Sequence, residues 1–234
     1  LRGKFITFEG GEGTGKSTQI SLLANHLKDL GHDVIVTREP GGTAGAEAVR
    51  HILLSGTAEQ FGSDMEAILF AAARADHVDQ IIAPALDDGK YVLCDRFFDS
   101  TRAYQGASGN VPFETLHALE QAACGEHWPD LTLILDLSSK ESIARANKRR
   151  GDAEADRFER ESIKQQELRR RAFLDIAKQA PERCAVIDAA GSIEEISAAI
   201  WREVDLRLIK PQNLPNKPSQ LKEKLKRINK NVRN

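Results

Sequence analysis

Cysteine is scarce: Cys94, Cys124 and Cys184 are the only three in 234 residues, far apart and in no C-x-x-C pair. That pattern excludes a disulfide framework and a zinc site, and it fits a reducing, cytoplasmic setting. Long apolar runs are also missing. Nothing approaches the ~18 residues that a membrane-spanning helix needs, and the N-terminus lacks the apolar segment of a signal peptide. No membrane partner is therefore expected. No internal repeat is visible. An excess of one charge is lacking as well, since 33 Lys and Arg face 35 Asp and Glu for a net −2. The distribution is uneven, however. From Lys210 onward the count is about +7, which leaves about −9 on the rest. The body is thus not expected to take nucleic acid as a partner. With 41% hydrophobic and 29% charged residues, the composition is that of a soluble globular domain with a full core.

What is present starts with Gly10-Gly11-Glu12-Gly13-Thr14-Gly15-Lys16-Ser17, which satisfies G-x-x-x-x-G-K-[ST] at every required position. Lys4 to Glu9 reads as a strand running into it. Ile20, Leu23, Leu27 and Leu30 follow at helical spacing, and Gly31 is placed to stop that helix. Strand, glycine-rich turn and helix are the context this motif requires. The glycines let backbone N–H groups wrap phosphate oxygens, and the helix N-terminus adds positive potential. The segment from Gly10 to Thr18 is therefore the expected ATP-binding stretch. Within it Lys16 reaches the β- and γ-phosphates, and the Ser17 hydroxyl holds Mg²⁺. The loop alone leaves the reaction open. A GTPase needs N-K-x-D, and both Asn147-Lys148-Arg149-Arg150 and Asn216-Lys217-Pro218-Ser219 lack the Asp.

Further strands are expected at Asp33–Thr37, Tyr91–Asp95, Leu131–Leu137 and Arg183–Asp188, alternating with helices. Ser63-Asp64-Met65-Glu66 has capping-box spacing and is expected to start a long helix to about Leu86. A charged helix is expected from about Phe158 to Lys178. The apolar strands predict burial on both faces, hence a parallel sheet between helical layers. Ligands in such sheets sit at the carboxyl ends of the strands. That rule gathers Glu12, Arg38, Asp95 and Arg96 at one edge.

Three further motifs resemble the thymidylate kinase family. Asp95-Arg96-Phe97-Phe98-Asp99-Ser100-Thr101-Arg102-Ala103-Tyr104-Gln105-Gly106 is similar to its D-R-[YFH] motif followed by S-T-x-A-Y-Q-G. Arg38-Glu39-Pro40-Gly41-Gly42-Thr43 is similarly typical, and Phe70 to Val78 is close to F-A-A-D-R-x-x-H. In the last, Ala73 replaces the usual Asp, which takes away a carboxylate that could orient Arg74. The resemblance runs from about Lys4 to Trp201. It implies an α/β, three-layer P-loop nucleoside monophosphate kinase fold with a parallel five-stranded sheet flanked by helices. It also implies a homodimer and the conversion of dTMP and ATP to dTDP and ADP.

The resemblance carries roles residue by residue. Arg38 and Arg96 clamp the acceptor phosphate, Pro40 lies beside them, and Asp95 helps place Mg²⁺. Phe70 stacks on thymine, although its periodicity alone suggests a core residue. Arg74 donates to thymine O4. Ser100 and Gln105 add polar contacts at the base edge, Tyr104 lies under the deoxyribose, and Glu12 accepts from the 3′-hydroxyl. Some members carry a catalytic arginine in the phosphate loop. Here that position is Gly13, so the bacterial pattern applies, with the arginine supplied by a lid over about residues 145–160. Arg150 is the first choice and Arg149 the second. The division expected is a kinase domain over 1–210 and a basic tail over 211–234. The competing class is a nucleotide-dependent binding module acting through that tail, with salt-sensitive nucleic-acid binding as its signature.

Overall fold

The computed structural model describes residues 2–150 and 162–210, without the side chains of Arg149 and Arg150. The chain begins with β1 (Lys4–Glu9), α1 (Lys16–Asp29), β2 (Val34–Arg38) and α2 (Ala44–Leu54). Next come α3 (Gly62–His77), a π-helical turn over Val78–Ile82, α4 (Ala83–Asp87) and β3 (Tyr91–Asp95). They are followed by α5 (Phe98–Thr101), a second π-helical turn over Arg102–Ser108, α6 (Phe113–Cys124) and β4 (Leu131–Asp136). The chain continues through α7 (Ser139–Arg150), α8 (Ile163–Gln179), β5 (Cys184–Asp188) and α9 (Ile193–Val204).

The strands form one sheet in the order β2-β3-β1-β4-β5, and every pair is parallel. β1 lies at the centre and alternates its side chains between two cores. Ile6 and Phe8 pack with Leu23 and Leu27 of α1 and Ile196 and Ile200 of α9. Phe5 packs on the other face with Ile82, Leu86, Phe97 and Phe98, and Phe173 and Ile176 of α8 cover β4 through Ile134. Each such apolar side chain contributes about 1.5–3 kcal/mol on burial. This is the three-layer α/β arrangement expected. Burial on both faces holds for β1, β3 and β4 but not for the edges, where Val36 and Val186 are about half exposed.

Two local expectations are corrected. Ser63 does not cap α3. The helix starts at Gly62 with no side-chain cap, and Glu66 is buried against Gln105 instead of reaching back along its own first turn. The long helix to Leu86 is also interrupted at Val78–Ile82. Pro84 follows directly, and having no N–H it cannot donate to the preceding turn. α8 opens on a capping box of Ser162 and Gln165. The expected start at Phe158, most of the lid and the whole tail lie outside the described residues.

Candidate active site

The phosphate loop leaves β1 at the centre of the sheet. Gly10 has φ 128°, and a Cβ there would lie 2.5 Å from the Leu135 carbonyl oxygen. Gly13 has φ 75°, and a Cβ would run into the Ser142 carbonyl of α7. Both positions thus require glycine for conformation and for space. The Thr14 hydroxyl donates to the Gly11 carbonyl at 3.0 Å, which closes the loop. Gly15 precedes α1 and offers no side-chain cap, so the first-turn amides remain available to an anion. Lys16 donates from Nζ to the carbonyls of Gly10 (3.2 Å) and Gly11 (3.0 Å). Burial, with Arg96 adding, pushes the Lys16 ammonium below its ordinary pKa, against the pull of Asp95, Glu12 and Glu9.

Strand register brings the next two loops alongside. Asp95 at the end of β3 pairs across the sheet with Phe8 on one side and Arg38 on the other. The Ser17 hydroxyl donates to Asp95 Oδ2 at 2.9 Å. This hydroxyl and carboxylate fit Mg²⁺, which takes oxygen ligands and shares them with substrate phosphates. Among the described residues, no cluster of three or more His, Cys, Asp or Glu could hold a metal alone.

Arg96 follows with φ 68°, a left-handed conformation uncommon outside glycine. Its N–H donates to the Phe8 carbonyl at 2.9 Å. Its guanidinium donates to the Gly10 carbonyl at 3.0 Å and to Ser100 Oγ at 3.2 Å, and it pairs with Glu12. It also lies 5.3 Å from the centre of the Tyr104 ring. Burial opposes its charge, but Tyr104, Glu12, Asp95 and Glu9 together hold its pKa well above the ordinary value. The turn is locked from below by buried Glu9. Oε1 accepts from the N–H groups of Phe97 (2.8 Å) and Ser100 (3.2 Å), and Oε2 accepts from Ser100 Oγ at 2.6 Å. Burial, with Asp99 adding, pushes the Glu9 carboxyl up to about 7, while Arg96 and the bonds from Ser100 and Phe97 pull the other way.

Arg74 comes from α3 and is 2% exposed. Nε donates to Glu39 Oε2 at 2.8 Å, and Nη2 donates to Thr101 Oγ1 at 3.1 Å. The other Glu39 oxygen lies 3.0 Å from His77 Nδ1, and His77 Nε2 lies 2.7 Å from Thr37 Oγ1. Glu39 therefore supplies the orienting carboxylate that Ala73 does not. The Glu39–Pro40 peptide bond is cis.

These groups line one cavity of roughly 470 Å³. It brings together Glu12, Gly13, Gly15, Lys16, Ser17 and Thr18 with Arg38, Pro40, Phe70, Arg74, Asp95, Arg96, Ser100, Tyr104 and Gln105. Phe70 is half-buried in the wall rather than packed in the core. Gly10 and Gly11 line a smaller neighbouring cleft. Arg149 and Arg150 end α7, and their side chains lie outside the described residues. Sequence reasoning missed Glu9, Glu39, His77 and Arg50 as parts of this wall or its supports. Glu39 stood inside a quoted motif. Arg145 stood in the charged run, and it donates to the Ala189 carbonyl at 2.9 Å. The wall carries six basic side chains, Lys16, Arg38, Arg50, Arg74, Arg96 and Arg145, against the carboxylates of Glu12, Glu39 and Asp95. Such a surface suits polyanions.

Comparison with known proteins gives a consistent result. The family model described as thymidylate kinase matches residues 8–200. A thymidylate kinase of Afipia carboxidovorans is 56% identical over 207 residues, covering 88% of this chain and 91% of that protein. A thymidylate kinase of Rhodopseudomonas palustris is 55% identical over 212 residues, covering 90% and 92% respectively. Among solved structures, a thymidylate kinase from Ehrlichia chaffeensis superposes with TM-score 0.69 at 33% identity, covering 87% of this chain and all of that one.

Proposed function

The chain belongs to the thymidylate kinase family and phosphorylates dTMP to dTDP with ATP, and we propose that the cavity at the carboxyl ends of β1, β2 and β3 is where the two nucleotides meet. One observation carries this reading: a single cavity joins Lys16 and Ser17 of the phosphate loop to Arg38, Arg74 and Arg96.

The chemistry asks little of a base. The dTMP phosphate has a second pKa of about 6, so its attacking oxygen is already largely anionic at neutral pH. The cost lies in bringing two polyanions together and in spreading charge as the phosphoryl group moves in line between them. Lys16 and the loop amides hold the ATP phosphates. Ser17 and Asp95 would hold Mg²⁺, which would supply positive charge against the phosphate oxygens. Arg38 and Arg96 take the dTMP phosphate, for which the planar guanidinium fork is suited. Glu12 accepts from the 3′-hydroxyl while it tethers Arg96. Phe70 stacks on thymine, Tyr104 lies under the sugar, Arg74 donates to O4, and Ser100 and Gln105 face the base edge.

Gly13 leaves no room for an arginine in the loop, because α7 presses against it. That crowding favours delivery of the catalytic arginine from the lid, by Arg150 first and Arg149 second. A lid of this kind also excludes water from the transferred group. Phe61, Met65 and Ile68 are exposed on or beside one face of α3 and support a homodimer across that helix. Three free, buried cysteines and no membrane-length apolar helix among the described residues suit a cytoplasmic enzyme.

The test is an ADP-release assay with dTMP, dUMP, dCMP, dGMP and dAMP as acceptors. A strong preference for dTMP is expected, and equal use of dCMP or a purine would overturn the assignment of this pocket.

A further inference from the structure

Tyr104 lies in the π-helical turn between α5 and α6. It lines the main cavity and also the smaller cleft beside the phosphate loop, so its side chain stands between the two. Two side chains of α8 back it from the smaller cleft. The Arg169 guanidinium carbon lies 4.0 Å from the centre of the Tyr104 ring. The Phe173 ring meets it edge-on, with 6.5 Å between centres. Positions 169 and 173 are one helical turn apart and share a face of α8. Both residues are buried, and both line the smaller cleft but not the main cavity. Arg96 lines the main cavity and not the cleft, and it lies 5.3 Å from the same ring centre. One guanidinium thus approaches Tyr104 from each of the two spaces.

A guanidinium over an aromatic ring is attracted by the negative ring face, and more strongly where water is excluded. Being planar, it also covers the ring as a flat plate, which an ammonium cannot do. Phe173 offers only an edge contact at longer range. Arg169 is therefore the group that fixes how far Tyr104 stands into the main cavity. A close-packed wall held in this way excludes a group one oxygen larger, whereas a wall free to retreat admits it.

We propose that Arg169 is a positioning residue for sugar choice: stacked on Tyr104 from the smaller cleft, it holds the ring against the sugar site and so favours deoxyribose over ribose in the acceptor. This rests on the placing of the dTMP sugar over Tyr104 proposed above. It assigns the stiffness of that wall to a side chain that does not itself line the main cavity.

The experiment is the ratio of kcat/KM for dTMP over that for ribothymidine 5′-monophosphate in the full chain, with the dTMP over dCMP ratio as the control. Arg169→Met keeps an unbranched side chain without the charge or the plane. Arg169→Lys keeps the charge without the plane. Arg169→Met is expected to lower the sugar ratio about tenfold and Arg169→Lys about threefold. The dTMP over dCMP ratio should stay within about twofold of the parent in both. A packing role alone orders the two variants the other way, since an ammonium is costlier to bury than a thioether. On a Tyr104→Ala background, Arg169→Met should change the sugar ratio less than about twofold, because the effect has no other route. An unchanged sugar ratio in either variant, a larger loss in Arg169→Lys, or an equal fall in the dTMP over dCMP ratio would overturn the proposal. Where Arg169→Met does not fold, Arg169→Lys decides alone on the same terms. A sugar ratio that falls in Tyr104→Ala but holds in Arg169→Met removes the role of Arg169 only. If Tyr104→Ala itself leaves the ratio unchanged, the placing of the sugar has failed, which separates the two readings.

Discussion

Arg74 on α3 and Glu39 just beyond β2 form a buried ion pair, with Nε and Oε2 2.8 Å apart and side chains 2% and 5% exposed. The pair fixes a guanidinium in the cavity wall, and His77 steadies Glu39 from its other oxygen. Breaking one side of such a pair leaves an uncompensated buried charge, at a cost of about 3–5 kcal/mol. Glu39→Gln should therefore lower the denaturation midpoint in urea and raise the KM for dTMP several-fold more than that for ATP. A variant with both KM values unchanged would show that Glu39 does not set Arg74 for substrate.

The crowding of Gly13 by α7 gives a second expectation. Gly13→Ala must place a Cβ against the Ser142 carbonyl at a backbone angle of φ 75°. Strain of this kind costs on the order of 1–3 kcal/mol. α7, which carries Ser142 and Ala146, is displaced with it. Chemical denaturation should show the loss, and turnover should fall alongside it. Full stability together with full turnover would contradict the fit.

Glu9 predicts a pH signature. Its folded pKa, raised from 4.5 to about 7 chiefly by burial, exceeds the unfolded value. Between those values the folded chain holds the extra proton, so its stability falls as pH rises from about 4.5 to 7 and levels off above. At about 1.36 kcal/mol per pKa unit, the loss is on the order of 3 kcal/mol. Glu9→Gln imitates the protonated form. Its unfolding free energy relative to the parent should climb across that window and be flat above pH 8. A difference that does not change with pH would place the carboxyl's titration elsewhere.

The division between lid and pocket is separable by kinetics. Arg150→Ala should lower kcat, by a factor on the order of 10³ if that guanidinium stabilises the transferred charge, with little change in the KM for dTMP. Arg74→Ala should do the reverse and act mainly on KM. Normal turnover in Arg150→Ala would move the role to Arg149 or out of the lid.

The parts legible in the sequence were those with local causes. Gly10 to Ser17 and the apolar strands announce themselves through spacing and chemistry within a few residues. The supports of the site were not legible in this way. Glu39 and Arg74 are 35 positions apart, and Glu66 and Gln105 are 39 apart. Nothing in either neighbourhood says that the partners meet. Ser63 and Glu66 show the opposite hazard, since a local pattern of capping type was overridden by a buried partner on another element. Phe70 has helical spacing that suits a core residue; the resemblance to the thymidylate kinase family put it at the base instead, and in the fold it lies in the cavity wall.

The central claim is that this cavity seats thymine, and the most direct measurement is a crystal structure of the protein with dTMP. The account predicts the base stacked on Phe70, with O4 within hydrogen-bond reach of Arg74 and the phosphate between Arg38 and Arg96. Density for dTMP elsewhere, with the space between Phe70, Arg74 and Tyr104 unfilled, would contradict it.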